Sequence, residues 1–439
     1  MNGDPRDREV SDASARAATT SLDAVDGRTY GGDGFRFEYR PGTIRCGRNC
    51  VDALAEELRN VGGTRALVVT GRTVGQTAAV MDPVREGLED AFEGTFAETT
   101  PDKRLGTAHA AAEAFAEHDA DAFVAVGGGS SLDVVTVARA LVASGQSHEA
   151  AAADLADTGT IPVPDGDLPS AVAVPTTLAG ADLAQGAGIT AAPDTDPVDE
   201  SIGGGVSDPR LMPSALFYDP ALFATTPASV RAASAMNGLD KAVESLYARN
   251  ATPISDATAV HGLRLCRRGF SALADDDADP RELEQAVLGV LLAQYGVSRP
   301  DGSTLSVLHA FGHGLTNAGD VHQGRAHAAV APHVLRFVFE RVDGRRDLLA
   351  DALAPHGSGA TGSETGESDD DASAAVAGLA ALRDDLGLPQ RIRDLEDPPA
   401  CDELDDVAAD VLGDGFMENA PSGLDATVED LREVLEAAW

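Results

Sequence analysis

The sequence predicts two units in series: an α/β domain built on a parallel sheet covered on both faces, then an all-α domain. Three observations lead there. Apolar, β-rich runs alternate with amphipathic helical stretches from residue 34 to about 212, the pattern of a parallel sheet with crossover helices. From residue 213 onward apolar side chains recur every three to four positions with no strand-like run between them. The length, 439 residues, is enough for two hydrophobic cores.

Taken in order, residues 1–33 are polar and poor in large apolar side chains, and are expected to be a disordered or loosely held tail. Patterning begins with "GFRFEYRPGTIRCG" and passes through the amphipathic "NCVDALAEELRNVGG" to a strand, "RALVVTG". Two further strands follow helical stretches, "DAFVAVGGG" and "SAVAVPTT". The helical domain, 213–439, opens with "PASVRAASAMNGLDKAVESLYARN" and closes with "TVEDLREVLEAAW". Within it, residues 355–373 are low in apolar content and are expected to be a surface insertion between helices. No internal repeat is present.

Acidic residues number 72 against 33 basic ones, a formal net charge of −39. Such a charge repels nucleic acid and anionic membranes, so neither is an expected partner. It suits a solvated surface in concentrated salt, a halophilic habit, as does the scarcity of lysine, found only at Lys103 and Lys241. Cys46, Cys50, Cys266 and Cys401 do not form a metal-binding pair of pairs. Ordinary reduced thiols are expected, with a cytoplasmic location, since no apolar run spans a membrane and no charged-then-apolar leader opens the chain.

Three strand ends carry candidate ligand chemistry. "VAVGGGSSLDVV" puts Gly127, Gly128, Gly129, Ser130 and Ser131, with Asp133 beyond, between a strand and a helix. Glycine there lets backbone approach a pyrophosphate, and the helix start offers free N–H groups. This is not the G-x-G-x-x-G fingerprint, so an ordinary Rossmann assignment does not follow. "VPTTLAGAD" places Thr176, Thr177 and Asp182 at the next strand's carboxyl end, where open α/β sheets bind ligands. The first strand ends in Gly71-Arg72. An acidic residue there would read a free ribose 2′-hydroxyl, whereas Gly-Arg leaves room for a 2′-phosphate. A surface arginine in a turn fits the same two residues, so both NAD and NADP remain open.

In the helical domain, Met236, Leu239, Val243, Leu246 and Tyr247 form one helix face while Asn237, Asp240, Lys241 and Glu244 share the other. Taken alone, that polar face reads as solvent-exposed with a routine Lys–Glu neighbour pair. A second cluster, "LHAFGHGLTNAGDVHQGRAHAAVAPHVLRF", holds His309, His313, His322, His327 and His333. His309 and His313, four apart, share a helix face and could ligate a metal or relay protons. The H-E-x-x-H pattern is absent, so a metalloprotease is not supported.

With these residues in view, the chain resembles the iron-containing, or group III, alcohol dehydrogenases and, within that group, the maleylacetate reductases. "GGGSSLD" resembles the family's GGGSxxD loop, and "VPTTLAGAD" its PTTxAGSE segment with Asp182 for Glu. "SAMNGLDKAVESLYARNATPISDA" resembles the first helix of its helical domain, and "APHV" the end of its histidine segment. The resemblance covers residues 34 to the end. It implies the dehydroquinate synthase-like fold, an NAD(P)-dependent oxidoreductase, a small carbonyl or alcohol substrate held in the cleft between domains, and a homodimer.

The resemblance also implies a metal on one Asp and three His. In this sequence those positions fall on Asn237, Lys241, His309 and Gln323, so a divalent metal is doubtful. The family's lysine shortly after GGGSxxD is replaced by Thr136, and its lysine ahead of "DPRLMP" is missing. The expectation is that Lys241 replaces the metal as electrophile, aided by His309, with His313 or His327 relaying the proton. Two alternatives stand beside it. One is a displaced metal site on Asp240, Glu244, His309 and His322, and the other is a non-catalytic nucleotide-binding homologue. Arg325, beside the histidines, could hold a substrate carboxylate.

Overall fold

The computed structural model describes residues 35–353 and 367–439. Six parallel strands form the central sheet: β1 (Thr43–Cys46), β2 (Ala66–Gly71), β3 (Phe92–Thr99), β4 (Ala122–Gly127), β5 (Ser170–Pro175) and β8 (Ala215–Tyr218). A glycine-rich antiparallel hairpin, β6 (Gly186–Ala191) with β7 (Ile202–Ser207), stands apart from it. The sheet order is β1-β8-β5-β4-β2-β3. From β2 the chain moves outward to β3 and then returns to β4 on β2's other side. The switch point therefore lies between β2 and β4, where a doubly wound sheet opens a crevice at its carboxyl edge.

Alternation along the strands explains why both faces are covered. Phe123 and Ala125 of β4, with Leu67 and Val69 of β2, point into one core. Ala122, Val124 and Val126, with Ala66 and Val68, point into the other. Helices α1 (Leu54–Asn60) and α2 (Ala78–Leu88) fill the second face. Helices α3 (Leu105–Glu117), α4 (Gly129–Ser144) and α5 (His148–Thr158) fill the first, and their core runs without a break into the helical domain.

The helical domain comprises α6 (Ala228–Tyr247), α7 (Pro253–Leu273), α8 (Pro280–Gln294), α9 (Val307–Ala318), α10 (Gln323–Arg341), α11 (Arg346–Leu353), α12 (Glu367–Asp385), α13 (Leu404–Gly413) and α14 (Val428–Ala438). Local chemistry sets the starts. Thr252 and Asp279 close capping boxes with Ser255 and Glu282, each followed by proline at the first helical position. His322 caps α10, its ring nitrogen accepting the Gly324 N–H at 3.2 Å.

The sheet's last strand lies at 215–218, beyond the boundary expected at 212. The expected tail, 1–33, falls outside the described residues. So does most of the expected insertion, whose final residues, 367–373, instead open α12 as helix. The polar face of α6 also departs from the solvent reading: Asn237, Asp240 and Glu244 are buried, as are Met236, Leu239, Val243 and Leu246 on the opposite face. A helix buried all round needs partners for every polar group it carries, and those partners define the site.

Candidate active site

The glycine loop lies at the switch point. Gly127, the last residue of β4, has φ +133°, a conformation that suits glycine, and its carbonyl accepts the Thr176 N–H at 2.9 Å. Gly128 precedes α4, and a side chain there would meet Thr177 at 3.4 Å, so loop and threonine face one another closely. Ser130 lies in the first helical turn, where the Ser131 and Leu132 N–H groups bond the Gly128 carbonyl and those of Gly129 and Ser130 precede the first intrahelical acceptor. Ser131 is buried and shares a hydrogen bond of 2.8 Å with Thr99 at the end of β3. Thr176 is buried as well, which leaves Thr177 as the threonine at the loop surface. Gly71 ends β2, and Arg72 is exposed in the helical turn that follows.

Asp133 and Asp182 depart from simple cofactor contacts. Asp133 is buried one turn into α4, and the Lys103 ammonium stands 2.5 Å from its carboxylate. Burial pushes the Asp133 carboxyl up, against the opposing pull of Lys103 and Lys241. Asp182 is 1 % exposed and accepts a hydrogen bond from the Tyr218 hydroxyl. It faces Lys241 as a counter-charge from within the core.

Lys241 reaches across from α6 to the turn after β5. Its Nζ donates to the Ala179 carbonyl at 2.6 Å. Gly180, at φ +82°, makes room for it, since a Cβ there would lie 2.6 Å from Nζ. Burial pushes the ammonium down to about 8, while Asp182, Glu244 and Asp133 hold it up.

The other positions that resemble metal ligands are bonded to one another. His309 Nε2 lies 3.2 Å from Asn237 Oδ1, and Asn237 Nδ2 donates to Gln323 Oε1 at 3.3 Å. On its other side His309 Nδ1 lies 2.5 Å from Glu244 Oε2, while Glu244 Oε1 accepts the His309 backbone N–H at 2.9 Å. Burial raises Glu244 to about 7 and holds His309 well below its ordinary value, so an uncharged imidazole stands beside a carboxyl that protonates readily. With Glu244 donating to Nδ1, each later donor has an acceptor, in the direction Glu244, His309, Asn237, Gln323.

Asp240 and His327 form a second buried pair, 3.0 Å apart and both fully enclosed. Neither makes a well-aligned hydrogen bond. Burial moves Asp240 well up and His327 down to about 3, so both groups are pushed toward their uncharged forms. His327 packs edge-on against His309, with ring centroids 4.6 Å apart, and leaves no space for a side chain at Gly312. His313 is partly open, bonded through Nδ1 to Asp414 at 2.7 Å and packed on Phe416.

This donor set does not fit a catalytic divalent ion. Two amides, an imidazole already bonded on both sides, and an ammonium supply no anionic ligand. The displaced set is not assembled either: Asp240 faces His327, Glu244 faces His309, and His322 is exposed at the start of α10. Among the described residues no three His, Cys, Asp or Glu side chains are grouped to hold a metal. Arg325 lines a separate cavity of about 430 Å³ with Asp384, Gln390 and Asp394, away from Lys241. Sequence reading missed Lys103. The available signal was its rarity, since both of the chain's lysines act on Asp133.

A doubly wound sheet with a glycine loop at its switch point, joined to a helical domain that brings Lys241 to the turn after β5, has the architecture of a nucleotide-binding α/β protein. The chain belongs to the iron-containing alcohol dehydrogenase family: residues 41–220 match its model described as iron-containing alcohol dehydrogenase, and 231–439 the one described as Fe-containing alcohol dehydrogenase family, C-terminal. The chain is 29 % identical over 303 residues to a maleylacetate reductase of Sphingobium indicum, covering 69 % of this chain and 75 % of the relative. It is 25 % identical over 402 residues to an NAD-dependent methanol dehydrogenase of Bacillus methanolicus, covering 89 % and 97 %. Among solved structures, a 1,3-propanediol oxidoreductase superposes with a TM-score of 0.77 at 24 % identity, covering 92 % of this chain and all of that one, which supports the fold. Among the described residues no helix is long and apolar enough to cross a membrane.

Proposed function

We propose that this oxidoreductase interconverts a small carbonyl compound and its alcohol with a nicotinamide cofactor, and that Lys241 acts where other family members place a metal. The observation that carries the reading is the Lys241 ammonium, wedged over Gly180 and one helical turn from Asn237, beside an amide–imidazole chain of Asn237, His309 and Gln323 in which the positions that resemble metal ligands carry no carboxylate. Gly127–Ser130 and Thr177 would hold the cofactor's pyrophosphate, for which the loop has the open backbone and free N–H groups. When bound, a dihydronicotinamide supplies the hydride that converts the carbonyl carbon into an alcohol carbon.

The chain's residues handle the oxygen. Lys241 hydrogen-bonds the carbonyl oxygen, stabilises the alkoxide charge as it develops, and gives up a proton to it. An amine near pKa 8 regains that proton readily from water at neutral pH. His309 and Asn237 hold the wall beside it, fixed through Glu244 and Gln323. His327 is sealed from solvent, so His313, partly open against Asp414, is the better route for proton exchange. Exposed Arg72 after Gly71, with no carboxylate at that strand end, favours NADP over NAD. The acidic surface suits activity in concentrated salt, and a homodimer is the expected assembly.

The test is hydride transfer followed at 340 nm for wild type before and after exhaustive chelation, and for Lys241→Ala, with metal content measured in each. Retained activity in metal-free wild type, and loss of roughly a hundredfold or more in kcat for the variant, support the reading. A chelated enzyme that is dead and revived by metal refutes it, as does a variant with unchanged kcat.

A further inference from the structure

A carboxylate beside a phosphate-binding loop is an electrostatic liability, and this chain places one there. Asp133 lies four residues after Gly129 and three after Ser130, so it shares their face of α4. Helical side chains lean toward the amino end, which carries the carboxylate back toward the N–H groups that a pyrophosphate would use. Unpaired, it would repel that pyrophosphate at short range through a dry site.

Lys103 answers it. The residue sits in the loop after β3, at the carboxyl edge of the sheet, with a left-handed backbone of φ +51°. Its carbonyl accepts the Thr190 N–H at 2.9 Å, which ties the loop to the β6–β7 hairpin. Its side chain is 37 % exposed and its ammonium touches an Asp133 side chain that is 9 % exposed, so the pair joins the surface to the buried carboxylate. Lys241 acts on the same carboxylate from the helical domain only through its charge, whereas the Lys103 ammonium is in direct contact with it. Thr136, one turn further along α4, donates its hydroxyl to Leu132 and offers Asp133 no charge.

We propose that Lys103 is a positioning residue for the cofactor, neutralising Asp133 so that the amino end of α4 can accept the pyrophosphate. The inference rests on the function proposed above. An ammonium has three donors and Asp133 takes one, which leaves two for a ligand oxygen.

The experiment measures dissociation constants for NADH and NADPH by nucleotide fluorescence, on wild type, Lys103→Met, Lys103→Arg, Asp133→Asn and the Lys103→Met/Asp133→Asn double variant. Lys103→Met weakens both nucleotides by roughly tenfold or more, because a bare carboxylate then faces the phosphates. Lys103→Arg stays near wild type. The double variant recovers most of the loss, since the repulsion has been removed with the carboxylate. Lys103→Met binding like wild type overturns the proposal, and so does a double variant as weak as Lys103→Met. A wild type that binds neither nucleotide overturns the proposed function itself, a result distinct from either.

Discussion

Replacing Lys241 by methionine should make the protein more stable at neutral pH while removing its activity. Burial holds the Lys241 ammonium near 8 against an ordinary value of 10.5, a gap that costs the folded state about 3 kcal/mol when the amine is charged. Methionine forfeits the hydrogen bond to Ala179, worth about 1 kcal/mol, so the expected net gain near pH 7 is about 2 kcal/mol. The sign with pH follows from proton counting. Between pH 8 and 10.5 the unfolded chain binds the extra proton, so wild-type stability rises through that window and the variant's advantage disappears. Above it the variant should be the less stable by about the value of the lost hydrogen bond. Urea unfolding of both proteins at pH 7, 9 and 10.5, at fixed high salt, measures the difference directly. A variant less stable than wild type at pH 7, by a margin unchanged at pH 10.5, would refute the argument that a costly buried charge is retained for chemistry.

Carbonyl reduction should lose kcat/KM as pH rises through about 8, one proton per site, because the ammonium is the donor; alcohol oxidation should gain over the same range. Initial-rate profiles in both directions check this, and parallel profiles would contradict it. Gly180→Ala forces a side chain into φ +82° and within 2.6 Å of Nζ, so it should displace Lys241 and cut kcat sharply for a stability loss of roughly 1–3 kcal/mol. Crystallography and kinetics of that variant report both effects. Arg72→Ala should raise KM for NADPH with little change for NADH, which steady-state kinetics with each cofactor decides.

How much was legible in sequence differs by layer. The strands "RALVVTG", "DAFVAVGGG" and "SAVAVPTT" appear as β2, β4 and β5 because buried parallel strands are continuous apolar runs bounded by glycine or proline. The β6–β7 hairpin escaped notice because "GAGITA" and "IGGGVS" have too few large side chains to mark a strand. The alignment of Asn237 with Gln323 through His309 was legible as register but not as bonding. Polar side chains at helical spacing look alike whether water or another helix faces them, so the burial of Asp240 and Glu244 could not be read. Lys103 sits in a loop, outside any periodic pattern, and only the tertiary fold brings it to Asp133.

The scarcity of lysine has a practical side. Apart from the chain's own amino terminus, Lys103 and Lys241 carry the only primary amines, and both converge on one carboxylate. Reductive methylation with isotopically labelled formaldehyde would thus place both side-chain probes around Asp133 and none on any other side chain. The two side-chain resonances, resolved without assignment of the remaining residues, would report protonation and cofactor arrival in real time. With lysine at only two positions of the chain, the site is spectroscopically isolated.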